Sequence, residues 1–237
     1  MSKKSLFISG SSGQIGSFLA NALESQYDIL GMDLCASGSY NHAVNALNEE
    51  DLCSFFEKHK HLNVAGLINC IGNPNTADKT KSLTIDSVDL ESFSNMLDAN
   101  LTSVFLLMKS YCKYFGDKPS NIINLSSLYS VVSPRLDLYG GGIKHPGYVA
   151  AKFGLIGLSK YFAVLYAKNN IKVNCLAPAA VLDTKGVDEK FLEKYLLNCP
   201  MGKGVSLHEI HNFVNVLLNN DTMTGQNLVI DAGYTLW

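Results

Sequence analysis

The sequence predicts an α/β fold, a parallel sheet buried on both faces by helices. Three observations lead there. Short apolar runs alternate with helix-length amphipathic segments along the whole chain. The runs are continuous rather than alternating, as in strands covered on both sides. Of the 237 residues, 47% are hydrophobic, enough to cover both faces of such a sheet. No linker, repeat or composition break divides the chain, so residues 1–237 read as one domain.

Residues 5–9 (SLFIS) read as the first buried strand. Gly10, Gly13 and Gly16 follow. Ile15, Phe18, Leu19, Ala22 and Leu23 then recur at helical spacing, so a helix begins inside the glycine loop. Strand, glycine turn and helix are the setting of a dinucleotide-binding loop. Glycines allow a tight turn and close backbone approach to a pyrophosphate, and the helix N-terminus carries partial positive charge. Residues 27–34 (YDILGMDL) read as a second strand with Asp33 near its C-terminal end. A carboxylate there accepts hydrogen bonds from the adenosine ribose hydroxyls and repels a 2′-phosphate. No Lys or Arg lies between Cys35 and Glu57, which favours NAD(H) over NADP(H).

Residues 42–47 predict a short third strand, 49–60 a helix, and 64–71 (VAGLINCI) a fourth strand closed by Gly72. The polar stretch 73–87, with Pro74, reads as a mobile loop. Residues 90–115 predict one long helix with Asn100 in its middle, where a buried amide needs partners. Residues 121–125 (NIINL) form a fifth strand that delivers Ser126 and Ser127 at its C-terminal end. Open parallel sheets bind ligands on that side. The pattern is completed by a helix over 147–167, a sixth strand over 171–176 (IKVNCL), helices over 188–197 and 207–218, and a last strand over 227–230.

The net charge of -2 offers no electrostatic case for nucleic acid or an anionic membrane. No apolar run reads as long enough to span a bilayer, and the run after the basic start is too short for a signal-peptide core. The six cysteines show no metal-ligand spacing and read as buried free thiols of a cytoplasmic protein. His208 and His211 share a helix face without a third ligand, so no metal site is expected.

Tyr148 and Lys152 lie on the first turns of the 147–167 helix and share a face. A cation beside a phenol favours the phenolate and lowers its pKa from about 10, toward general acid/base work near neutral pH. Ser127 could hydrogen-bond a substrate oxygen as charge develops on it. A lone Tyr-x-x-x-Lys is usually a surface pair.

Taken together and in order, the pieces resemble the short-chain dehydrogenase/reductase family from end to end. They are the Gly10-to-Gly16 loop, Asp33, Asn69-Cys-Ile-Gly72, Asn100, Asn124-Leu-Ser-Ser127 and Tyr148-x-x-x-Lys152. Ile171-Lys-Val-Asn-Cys-Leu-Ala-Pro178 and Gly225-Gln-Asn-Leu-Val-Ile-Asp-Ala-Gly233 continue the series. The resemblance implies a Rossmann-like fold of about seven strands, and hydride transfer between a nicotinamide and a carbonyl/alcohol carbon. It implies Tyr148 as general acid/base and Lys152 as the residue that holds the nicotinamide ribose and acidifies Tyr148. Ser127 would orient the substrate oxygen, and Asn100 would position a relay water. For the cofactor it implies Gly10, Ser12, Gly13, Gln14, Ile15 and Gly16, with Asp33 and Asn45 toward the adenosine. Asn69, Gly72, Tyr148, Lys152 and Pro178 complete that set.

The chain departs from the family's usual pattern at four places. Its loop reads Gly-x-x-Gly-x-x-Gly, the form commoner in the longer sugar-nucleotide epimerase and dehydratase branch. Asn45 stands where many relatives have an Asp at the adenine. Ala179 replaces a glycine after Pro178, which removes backbone freedom near the nicotinamide. Ser127 and Tyr148 are 21 positions apart, longer than usual, so residues 128–147 predict an extended loop over the active site. Tyr129, Arg135, Lys144 and His145 in that loop are candidate substrate contacts. Arg135, Lys144 or His145 would meet an anionic group, the competing reading being pairing with Asp137 and solvent. The layout resembles a bacterial branch linked to flagellin modification and nonulosonic sugars.

The leading reading is an NAD(H)-dependent oxidoreductase of a polar, sugar-derived or anionic alcohol or ketone. The alternatives are a 3-oxoacyl-carrier-protein reductase and, in a different class, a catalytically weak dinucleotide-binding sensor. The helices 90–115 and 147–167 are apolar over more than one stripe and must be covered. With the resemblance, this predicts a homodimer or homotetramer through them. The aromatic end, 234–237, packs either at the active-site rim or across a subunit contact.

Overall fold

The computed structural model describes residues 2–35, 40–73, 83–181 and 189–236. Seven strands form one sheet among the described residues: β1 (Lys4–Ser9), β2 (Tyr27–Asp33), β3 (Asn41–Ala43), β4 (Val64–Asn69), β5 (Ser120–Leu125), β6 (Ile171–Pro178) and β7 (Asn227–Ile230). The order is β3-β2-β1-β4-β5-β6-β7, and every pairing is parallel. The chain moves outward from β1 to β3, then returns to place β4 beside β1. That reversal opens a crevice beyond the C-terminal ends of β1 and β4, the switch point where such sheets bind ligands.

Successive side chains of β1 enter opposite layers. Phe7 packs with Phe56, Tyr111, Phe115 and Leu155 in the layer of α2 (Glu49–His59), α4 (Ser103–Phe115) and α5 (Pro146–Tyr166). Leu6 and Ile8 pack with Leu19, Leu23, Tyr195, Ile210 and Val214 on the other face. That layer holds α1 (Gln14–Leu23), α6 (Glu189–Leu197) and α7 (Leu207–Leu218). Each such buried side chain contributes about 1.5–3 kcal/mol. β5 and β6 are buried at every position, the reason their sequences run apolar without alternation.

One set of polar side chains inside the sheet is partnered internally. Ser9 Oγ donates to Asn69 Oδ1 at 3.0 Å, and Asn69 Nδ2 donates to Asn124 Oδ1 at 2.6 Å. Asn124 Nδ2 in turn donates to Ser159 Oγ at 2.8 Å. This chain of buried groups crosses β1, β4 and β5 and ends on α5, which it holds in register against the sheet.

Four local expectations change. The third strand is only Asn41–Ala43, because Asn45 Oδ1 accepts from Leu47 N–H at 3.0 Å and turns the chain into α2. The long helix is interrupted: α3 (Leu90–Leu97) passes through a π-helical turn (Asp98–Thr102) into α4. The end of the expected mobile loop is structured, since Thr84 and Ser87 cap a 3-10 turn over Ile85–Ser87. Pro74 lies outside the described residues, as do Asp188 and Trp237. The stretch 128–147 is not a plain overhang. It holds 3-10 turns at Leu128–Ser130 and Leu136–Tyr139, and Leu128, Tyr129, Leu138 and His145 are buried.

Two compositional expectations also change. The helix Pro146–Asn169 is long and apolar enough to cross a membrane, with a mean hydropathy of 1.3, although no such run was expected. It packs along the sheet through Ala151, Lys152, Leu155, Ser159 and Phe162, as a core helix does. All six cysteines are free, but only Cys112, Cys175 and Cys199 are buried, and Cys35 is exposed.

Candidate active site

The crevice begins with the glycine loop. Gly10 turns the chain at φ +68° and donates its N–H to Met32 O at 2.9 Å. A Cβ on Gly10 would lie 2.9 Å from the Cys70 carbonyl, and one on Gly16 would lie 2.1 Å from Gly10 O. Both positions therefore exclude any side chain. Gly13 is the N-cap of α1 and brings no capping side chain, and the first turn has no acidic residue. Backbone N–H groups at Gln14 and Ile15 thus begin a helix whose partial positive charge suits a pyrophosphate. Asp33, at the end of β2, accepts from Ser12 N–H at 2.9 Å and from Leu34 N–H at 2.8 Å. It clamps the loop and retains lone pairs for ribose hydroxyls. The glycine cradle, the uncapped helix and this carboxylate fit a dinucleotide.

Asn45 is exposed beyond the end of β3 and spends Oδ1 on its own turn. Asn69 is buried in the sheet, with its amide used by Ser9 and Asn124, so its role is internal. Gly72 sits at the centre of the crevice: a Cβ there would be 3.0 Å from Asn100 Oδ1 and 3.4 Å from Lys152 Nζ. Asn100, fully buried in the π-helical turn, accepts from Asn73 N–H at 3.1 Å and donates to Asn73 O at 3.2 Å. Its Nδ2 also donates to Met96 O at 2.9 Å. The extra residue of a π turn re-aims a side chain, and such turns recur at functional sites.

Ser126 and Ser127 leave β5 in opposite roles. Ser126 Oγ donates to Lys152 O at 3.4 Å, on the α5 backbone. Ser127 Oγ accepts from Tyr129 N–H at 3.2 Å, and its hydroxyl favours the ionised form of the Tyr148 phenol. Lys152, only 3% exposed, donates from Nζ to Leu125 O at 3.0 Å and lies 5.6 Å from the Tyr148 ring centroid.

The electrostatics correct one expectation. Burial raises the Tyr148 pKa, with the Ser127 bond pulling the other way. Burial also lowers Lys152 to about 8. Desolvation penalises each charge separately, so spacing on a helix face does not by itself acidify the phenol. Nearby, burial pushes the Cys70 thiol up to about 12 against the opposing effect of Lys152.

The four insert candidates separate. Arg135 is exposed and bonds Asp137 through Nε and a terminal nitrogen at 3.3 and 3.4 Å. His145 Nδ1 accepts from Gly147 N–H at 3.1 Å, which leaves the proton on Nε2, 2.8 Å from Ser92 Oγ. His145 is therefore a buried helix cap with both nitrogens used, and the structure does not bring it to the phenol as a substrate contact. Tyr129 is buried, and its hydroxyl shares a 2.8 Å hydrogen bond with that of Tyr139. Lys144 Nζ lies over the Tyr148 ring, 4.5 Å from its centroid.

The fold and motif positions agree with comparisons to known proteins. A family model described as enoyl-(acyl carrier protein) reductase matches residues 33–235. A solved short-chain dehydrogenase from Leptospira borgpetersenii, with bound NAD+, superimposes with a TM-score of 0.87. It is 25% identical, and the match covers 99% of this chain and 94% of that one. The chain belongs to the short-chain dehydrogenase/reductase family. It is a nicotinamide-dependent oxidoreductase. Among curated short-chain dehydrogenase/reductase relatives, a 3-oxoacyl-acyl-carrier-protein reductase of Buchnera aphidicola is 25% identical over 98% of this chain and 97% of its own. The post-translational flagellin modification protein A of Campylobacter coli is 27% identical over 92% of this chain and 82% of its own.

One family departure loses its force in three dimensions. Ala179 donates its N–H to Ile230 O at 2.9 Å, and its φ lies outside the left-handed region. That backbone needs no glycine. Pro178 ends β6 on the crevice side of the sheet. Sequence reasoning missed the Ser9–Asn69–Asn124–Ser159 chain behind the site. Its signal was present: two asparagines inside otherwise apolar strands.

Proposed function

We propose that this short-chain dehydrogenase/reductase interconverts an alcohol and a carbonyl on a polar substrate, with Tyr148 as general acid/base. The single observation that carries the reading is the meeting of Ser127, Tyr148 and Lys152 at one end of the sheet, beside a glycine cradle. A nicotinamide cofactor supplies or accepts the hydride. In reduction, the Tyr148 phenol gives its proton to the substrate oxygen while the Ser127 hydroxyl holds that oxygen. Lys152 stabilises the phenolate left behind and holds the cofactor ribose. Asn100 keeps the segment after β4 in place and orients a relay water. Asp33 supports NAD(H) over NADP(H), because its carboxylate would oppose a 2′-phosphate.

The chain acts as one domain, with residues 128–147 forming part of the substrate wall. Its medium is the cytoplasm, in keeping with six free thiols. Phe105, Phe153, Tyr161, Val164 and Leu165 leave α4 and α5 with an exposed apolar face, which supports a homodimer or homotetramer through those helices. A second reading, a 3-oxoacyl-carrier-protein reductase, is favoured by the curated relatives of that name.

The test combines fluorescence titration with NADH and NADPH and turnover on a carbonyl panel that includes acetoacetyl-coenzyme A. Tyr148→Phe should keep NADH binding and lower turnover by about 10²–10⁴-fold. Equal turnover by Tyr148→Phe would remove the assignment. NADPH preference with turnover confined to acetoacetyl-coenzyme A would establish the second reading instead.

A further inference from the structure

Three phenols from three separate turns meet near Tyr148. Tyr129 comes from Leu128–Ser130, Tyr139 from Leu136–Tyr139, and Tyr234 from the C-terminal turn Tyr234–Leu236. Tyr139 and Tyr148 pack against the same core cluster, and a charge on Tyr148 is felt at the Tyr139 phenol.

Tyr139 is held from two sides. Gly142 N–H donates to Tyr139 O at 3.0 Å, and the neighbouring Leu138 is buried in the core. Its ring meets that of Phe191 on α6, with centroids 5.7 Å apart. From Phe191 the line of rings continues to Tyr195 at 5.7 Å and on to Tyr234 at 4.8 Å. The seat of the Tyr139 hydroxyl is therefore built by the insert, α6 and the C-terminal turn together.

The hydroxyl protons of the three phenols need acceptors, because each phenol has one O–H to place. Tyr129 and Tyr139 share one hydrogen bond, at 2.8 Å. Tyr234 senses Tyr129 but forms no hydrogen bond of ordinary geometry among the described residues. Tyr129 and Tyr234 are 6% and 4% exposed, whereas Tyr139 is only part-buried. If Tyr139 donated inward, the Tyr129 proton would be left in the interior, where an unmet donor costs about 1–3 kcal/mol. The arrangement that avoids this has Tyr129 donating to Tyr139 and Tyr139 donating outward, on the side of Tyr148.

Burial pushes Tyr139 up to about 12, so it meets a ligand as a neutral phenol. The charges on its own turn, Arg135 and Asp137, pair with each other. A neutral hydroxyl fits such a seat, since it accepts from the phenol and has its own proton for a phenolic lone pair. A carboxylate would be desolvated against the rings of Tyr139 and Phe191 with a single phenolic donor to compensate it.

We propose that Tyr139 is a specificity-determining residue, and that its hydroxyl donates to a second hydroxyl of the substrate, adjacent to the carbon that exchanges the hydride. The substrate is then a polyol or the matching hydroxyketone. Tyr129 is a positioning residue that aims the Tyr139 hydroxyl. The inference rests on the proposed role of this site as the place of hydride transfer.

The test is steady-state reduction by NADH of three small ketones: acetoin, which carries the neighbouring hydroxyl, butanone, which lacks it, and acetoacetate, which carries a carboxylate. It is run on wild type, Tyr139→Phe and Tyr129→Phe, with NADH fluorescence titration on all three. Wild type should favour acetoin over butanone in kcat/KM by about tenfold or more, since a site built to bond a hydroxyl rejects the analogue without it. In Tyr139→Phe that ratio should fall toward one, and Tyr129→Phe should lower it as well. A wild-type ratio near one, its retention by either variant, or a preference for acetoacetate over acetoin would overturn the proposal. Failure of wild type to bind NADH or to reduce any carbonyl would overturn the reading of the site itself, a separate outcome.

Discussion

The glycine loop and the 128–147 insert are held by different means. The loop is fixed by backbone geometry, where one added Cβ would meet a carbonyl oxygen at 2.1 Å. The insert is fixed by side-chain anchors at separate points: the Tyr129–Tyr139 hydroxyl pair, the His145 cap and the Ile143–Leu83 bond. Between them, the glycines at 140 and 141 stand free of such constraint; among the described residues, a Cβ on either would meet nothing within 4 Å. A binding surface for an invariant cofactor tolerates no variation in backbone. A surface for a variable substrate can be rebuilt between fixed anchors.

Three substitutions test that contrast, from the largest effect down. Gly16→Ala should cost about 3 kcal/mol, because backbone rather than a flexible side chain must move to admit the methyl. NADH binding should fall with it; a urea midpoint and a fluorescence titration would read both. An unchanged midpoint would mean that the loop is not backbone-limited.

Lys152→Met addresses the charge buried between the two regions. The folded pKa of Lys152, about 8, lies below its ordinary 10.5. Between those values the unfolded chain binds more protons, so the native state gains stability as pH rises through that window. Below pH 8 the cost of the buried ammonium is present in full. Lys152→Met should therefore raise the urea midpoint at pH 7, and the gain should shrink as pH climbs toward 10.5. A gain that does not depend on pH would indicate packing rather than charge.

Arg135→Ala should change stability by less than about 0.5 kcal/mol, since an exposed ion pair contributes little. It should leave NADH affinity near wild type. A larger loss of stability would mean that the Arg135–Asp137 pair anchors the insert.

Much of the architecture was legible because its signals are local. The glycine spacing, Asp33 at a strand end, and the continuous apolar runs of β4, β5 and β6 each depend on a few neighbouring residues. The π-helical turn at Asn100 was not legible, since the residues on either side keep the same helical pattern. Residues 44–47 read as the end of a strand, and the Asn45 turn overrode it. His145 looked like a surface ligand by residue type, but the cap it makes needs Ser92, more than 50 positions away.

The amino-acid sequence alone determined the family motifs, the alternation of strand and helix, and the candidate residues for proton transfer. Those follow from residue chemistry and from periods of a few positions. Only the tertiary structure decided which basic group of the insert meets the phenol, and that burial outweighs the Ser127 hydroxyl in setting Tyr148. Both outcomes depend on desolvation and on distances between remote segments, quantities that exist only once the chain has closed around the site.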